Sequence, residues 1–203
     1  MADLRGAIDD LALIRAQVAK SSLFQGFGPF TLGATGILAL LVGATQGIWL
    51  KDPRAHASEF VALWFATAAI SVMAISIEMF IRAQRAHGSM AMALIQQTVR
   101  SLMPALAAGG LLTIVLLRTD PAAAWMLPGL WQIIFCVGAF AMVPMLPKPI
   151  VAVGAWYLVC GLICIERGVA DGLSGWTMGI PFGVGQFLAA AVLLAADRID
   201  ARA

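Results

Sequence analysis

The sequence predicts an all-α polytopic membrane protein: six transmembrane helices arranged as three hairpins, preceded by an amphipathic N-terminal helix. Three observations carry that prediction. Of 203 residues, 61% are apolar and only 12% are charged, and the mean hydropathy is +0.91, whereas soluble domains carry about 25% charged residues. Apolar stretches near the roughly 20 residues that cross a bilayer occur at 27–50, 59–81, 99–117, 126–146, 149–166 and 176–196. Charge, proline or glycine separates them, as in Lys51-Asp52-Pro53-Arg54, Arg118-Thr119-Asp120-Pro121 and Pro147-Lys148-Pro149. The runs lack the period-two alternation of a barrel strand, and only helices or closed barrels satisfy their own backbone in lipid. The fifth stretch is the shortest. A net charge of +2 excludes a nucleic-acid partner, because too few cations are present to hold a polyanion. Three cysteines inside apolar runs exclude a disulfide-stapled secreted fold.

Residues 1–24 form the first of two regions, and 25–203 form the membrane domain. Leu4, Ile8, Leu11, Ile14 and Val18 recur at helical spacing among Asp3, Arg5, Asp9, Asp10, Arg15 and Lys20. This pattern predicts an amphipathic helix on the membrane surface or docked on a protein partner, not a cleaved signal peptide. An even number of spans puts both termini on one side. That side, with the 82–100 loop and Lys148, holds nine Lys and Arg; the other side holds four, namely Lys51, Arg54, Arg118 and Arg167. The positive-inside bias therefore predicts cytoplasmic termini. Trp49, Trp64, Trp125, Trp131 and Trp176 fall at the outer ends of their spans, as an interfacial belt requires.

Small residues four apart make ridges along three spans: Thr35, Ala39, Gly43 and Gly47; Ser101, Ala105, Gly109 and Thr113; Gly175, Gly179 and Gly183. Such ridges let helix backbones approach in lipid, within one chain or between two copies. The odd spans share a texture (Gly36-Ile37-Leu38-Ala39, Gly110-Leu111-Leu112-Thr113, Gly161-Leu162-Ile163-Cys164), which suggests repeated hairpins, although composition alone also gives it.

Candidate chemistry is sparse. Glu78 is the one carboxylate placed within a span, on the face of Ala62, Ala66 and Ala74. It is either a proton- or ion-coupling group or a structural partner of Arg82, four residues on. Cys160 and Cys164 share a helix face and Cys136 lies on the neighbouring span. No dense methionine array accompanies them beyond Met142 and Met145, so no metal is expected. His56 and His87 lie in loops on opposite sides, where they cannot hold a haem inside a bundle. No zinc, serine-hydrolase or nucleotide-loop motif is present, and no cofactor is expected. The most unusual run is Met178-Gly179-Ile180-Pro181-Phe182-Gly183-Val184-Gly185-Gln186. Its proline and glycines predict a kinked sixth span, which either packs closely or opens a ligand pocket. Gly179, Pro181, Gly183 and Gln186 would line that pocket, with Tyr157 and Gln132 facing it.

The runs Leu13-Ile14-Arg15 through Phe24 into Gly28-Pro29, Leu127-Pro128-Gly129-Leu130-Trp131, Trp156-Tyr157-Leu158 and Met178 through Leu188 resemble a bacterial family of small six-span inner-membrane proteins. The family's Pro-x-x-Gly opening of the first span is kept loosely, as Gly28-Pro29 followed by Gly33. Members are often encoded beside winged-helix regulators, which implies a regulated or sensory role; no active-site residue carries over. The expected function is a non-enzymatic sensory or partner-binding module with a pocket for a small apolar ligand. The alternative is a small-solute or ion/proton transporter. A lipid-modifying enzyme would need clustered polar side chains that the sequence does not offer. Expected partners are the bilayer, an apolar ligand, a cytoplasmic protein and, through the ridges, a second copy of the chain.

Overall fold

The computed structural model describes residues 27–87 and 91–200. The amphipathic segment expected over 1–24 lies outside them. Among the described residues the architecture is all-helical: α1 Pro29–Trp49, α2 Ala57–His87, α3 Ala91–Thr119, α4 Leu127–Ala141, α5 Ile150–Glu166 and α6 Gly175–Asp200. Five stretches are long and apolar enough to cross a membrane, and Ile150–Glu166 is a shorter apolar helix.

Local sequence sets the boundaries. Pro29 opens α1 at a position where its missing N–H costs nothing. Asp52 Oδ1 accepts from the N–H groups of Arg54 and Ala55 at 3.1 and 3.2 Å, turning the chain into α2. A 3₁₀ turn, Pro121–Met126, leads into α4. That helix ends at Ala141, short of the expected 146, because a second 3₁₀ turn over Val143–Met145 forms around Pro144. Gly168 follows α5 with φ +71°, the left-handed conformation that lets glycine end a helix.

The six helices form a ring in sequence order, closed by α1 against α6. One end carries the 50–56 and 167–174 loops and is called the loop end here. The other carries Gly28, Pro147–Pro149 and the last turns of α6, and is called the terminal end. The sequential pairs α1·α2, α3·α4 and α5·α6 each touch, but the closest seams are α1·α6 and α4·α5. Glycine decides both. On α1, a Cβ at Gly43 would stand 2.7 Å from Gly175 O and 3.0 Å from Gly179 Cα. A Cβ at Gly179 would stand 3.1 Å from Ala39 O. Two of the ridges thus meet each other, backbone on backbone. In the α4·α5 seam, a Cβ at Gly161 would lie 2.8 Å from Gly129 O, and one at Gly129 would lie 2.8 Å from Gly161 O. The remaining ridge, on α3, faces α4: a Cβ at Gly138 would sit 3.4 Å from Ala105 Cβ.

The tryptophan belt is also partly corrected. Trp49 and Trp176 face outward, 81% and 51% exposed, but Trp64 is buried and Trp131 half-buried. Both inward rings donate indole N–H bonds, Trp64 to Gln46 Oε1 and Trp131 to Thr113 Oγ1, each at 2.8 Å. A partner inside the bundle outcompetes the interface for these two groups.

Gly43→Leu should lower the stability of the purified protein by about 2 kcal/mol or more, because the side chain has to displace the α6 backbone. Gly47→Leu should leave it near wild type, since nothing lies within 4 Å of a Cβ there. Thermal unfolding in detergent micelles measures both, and equal losses would show that the α1·α6 seam is not limiting.

Candidate functional site

The polar groups inside the bundle gather where α6 is interrupted. Pro181 lies inside α6 and has no N–H to give to the Thr177 carbonyl one turn earlier. That carbonyl instead accepts from Gln132 Nε2 of α4 at 2.8 Å. The carbonyl of Pro181 accepts from Trp156 Nε1 of α5 at 2.9 Å. Two side chains on two helices therefore grip the proline turn, and α6 continues through it as one helix to Asp200. Beside this turn Tyr157 is fully buried, its ring 4.6 Å from Phe135 and 5.2 Å from Phe182 between centroids. The Tyr157 hydroxyl and Gln132 Oε1 are buried without a hydrogen-bond partner. Gly185 has no room for a side chain, because the phenol of Tyr157 fills the place of its Cβ.

Gln186 lies elsewhere. Its Cβ packs against α1, 3.2 Å from where a Cβ at Gly36 would stand. Gly179 faces Ala39 and Gly43 of α1, and Gly183 faces the side chain of Leu40. The six residues expected around one pocket are therefore divided between two seams. Gly179, Gly183 and Gln186 line α1·α6, while Pro181, Tyr157 and Gln132 meet where α4, α5 and α6 converge. The physical reason is helical geometry: Pro181 and Gly185 are four apart and share a face, as do Gly179 and Gly183, and the two faces look at different neighbours.

Glu78 is half-buried at the terminal end, with its carboxylate occupying the space a side chain at Gly28 would need. Its Oε2 is buried without a hydrogen-bond partner. The first turn of α1 therefore has a carboxylate beside it, the favourable sign for a helix N-terminus. The expected Glu78–Arg82 pair is not the ion pair that forms. Arg82 faces Asp197 of α6 at 3.8 Å, because the ring brings the end of α6 beside α2.

Two features escaped the sequence reading. Gln46, 2% exposed, donates Nε2–H to Leu173 O at 3.0 Å while accepting from Trp64, tying α1 to α2 and to the loop before α6. Arg54 reaches across the same loop end to Ala170 O at 2.5 Å. The signal for Gln46 was available: a lone amide three residues beyond Gly43, on the ridge face. The second feature is an apolar notch of about 360 Å3 at the terminal end, lined by Pro147, Pro149, Leu188, Val192, Ala195 and Ile199 among others. Cys136 and Cys164 are buried and Cys160 is half-buried. No group of three or more His, Cys, Asp or Glu among the described residues is placed to hold a metal ion.

Gln132 and Pro181 should be energetically coupled. Gln132→Leu should cost about 1 kcal/mol more in the wild type than in a Pro181→Ala background, where a restored N–H serves the Thr177 carbonyl. A double-mutant cycle by chemical unfolding in micelles measures this, and purely additive losses would refute the grip described here. Comparison of the chain with protein-family models, curated proteins and solved structures finds no match.

Proposed function

We propose that this chain is a six-span protein of a bacterial inner membrane with both termini in the cytoplasm. It acts without catalysis, as a sensory or partner-binding module that takes a small apolar ligand at its terminal end. What supports this reading is where the bundle leaves space. The interior is filled by Tyr157, Phe60, Leu127 and Gln132, all essentially unexposed, and the two main seams are closed by backbone contact. An apolar concavity opens instead at the terminal end, the end at which α1 begins. A carrier works by a site near the midplane exposed alternately to each side. Seams locked at glycine backbone oppose that motion.

The transport reading keeps one observation in its favour, the buried Oε2 of Glu78. It requires that Glu78→Gln abolish solute- or proton-coupled flux in proteoliposomes. The module reading expects no such flux from the wild type. It expects instead that deleting residues 1–24 releases a cytoplasmic partner from the purified complex, and an unchanged complex would remove its support.

Topology is tested separately. In a cysteine-free background in intact cells, an impermeant thiol reagent should label Arg54→Cys and leave His87→Cys unlabelled until the membrane is opened. The reverse pattern would invert the orientation.

A further inference from the structure

The notch at the terminal end follows from unequal helix lengths. Helix α5 has 17 residues and α6 has 26. The two are held in register by the Trp156 indole on the Pro181 carbonyl and by Tyr157 against Gly185. At about 1.5 Å per residue from that register, they finish nearly level at the loop end. At the terminal end, α6 runs on about 15 Å past the first residue of α5. Above the Pro147-Lys148-Pro149 turn, α5 therefore does not cover the last turns of α6. Pro147 and Pro149 form the floor of the step, and Leu188, Val192, Ala195 and Ile199 form its wall.

Two cations flank this apolar surface. Lys148 is exposed between the two floor prolines, and Arg198 is exposed in the last turn of α6. Asp197, next to Arg198, points its carboxylate at Arg82 on α2. An apolar wall running down from a cationic rim, at the ends of membrane helices, has the polarity of a phospholipid. Long cationic side chains at this depth extend toward headgroups, and basic pockets between helices select anionic ones. The concavity holds about 360 Å3. That volume matches a small ligand or one acyl chain.

Resting on the membrane module reading above, we propose that the notch is a binding site for an anionic phospholipid. One acyl chain lies along the α6 wall over Pro147 and Pro149, and the phosphate sits between Lys148 and Arg198. The lipid fills the step that the short α5 leaves and fixes the protruding end of α6 to the Pro147–Pro149 turn.

The test is native mass spectrometry of the full chain in mild detergent, with phosphatidylglycerol or phosphatidylcholine added at equal concentration. The wild type should retain phosphatidylglycerol severalfold better. Lys148→Gln should reduce that retention about fivefold and leave phosphatidylcholine unchanged. Ala195→Trp, which fills an exposed notch position, should reduce phosphatidylglycerol about tenfold, and Ala191→Trp supplies a second such variant. Thermal unfolding of each variant confirms the fold. Equal retention of the two lipids by the wild type, or wild-type retention by both folded tryptophan variants, would overturn the proposal. So would a gain of both lipids on deleting residues 1–24, which would identify that segment as the occupant. Loss of the lipid site would leave the partner and topology experiments untouched, so the two readings fail separately.

Discussion

Lipid gives two helices no hydrophobic reward for coming together, so the closing contact of this ring depends on how near two backbones can come. Gly43, Gly175 and Gly179 let α1 and α6 touch along their main chains. The polar links at both ends of the α1·α6 seam are positioned by that contact. With α6 laid against α1, Gln46 reaches the carbonyl of Leu173 and still accepts from Trp64. The same closure brings Asp197 to Arg82 and thereby leaves Glu78 to the N-terminal turn of α1. Dispersion between close-packed atoms is small per pair, but it adds up where Gly43 meets Gly175 and Gly179 backbone on backbone.

Pro181 shows how the bundle handles a defect inside such a helix. A proline removes one backbone bond and crowds the carbonyl a turn before it, and in hydrocarbon an orphaned carbonyl is far costlier than in water. Gln132 and Trp156 each bring a nitrogen donor to the interrupted turn. The interruption thus becomes the junction at which three helices are joined by directional bonds, surrounded by the rings of Phe135, Tyr157 and Phe182. Such bonds add orientation to a seam that small residues alone would leave free to slide. The unpartnered Tyr157 hydroxyl and Gln132 Oε1 mark where this polar accounting is incomplete.

Much of the fold was legible because its signals are local. Span lengths, the brevity of α5, the proline and glycine punctuation and the small-residue ridges all lie within a few residues of chain. What could not be read was which ridge meets which. The first and third ridges carry the same type of signal as the second, and nothing in either names its partner across more than a hundred residues. The division of the candidate residues between two seams was hidden for a related reason. Gly179 through Gln186 looks like one cluster in sequence, yet a 100° step per residue distributes it over two faces. Trp64 and Trp131 were read from position alone, without the buried acceptors that Gln46 and Thr113 provide.

The closure of α1 on α6 also bears on how the chain is made. Gln46 and its acceptor at Leu173 are 127 residues apart. During translation α1 enters the bilayer long before α6 leaves the ribosome, and meanwhile its glycine face and the Gln46 amide have no final partner. An amide in lipid without a partner finds a temporary one, and Trp64 of α2 is the first of its final partners to be made. The last described helix to emerge is the one that completes the ring. Nascent chains stalled before residue 175 hold every other described helix but not the closing contact, so the ring closes only once α6 has been made.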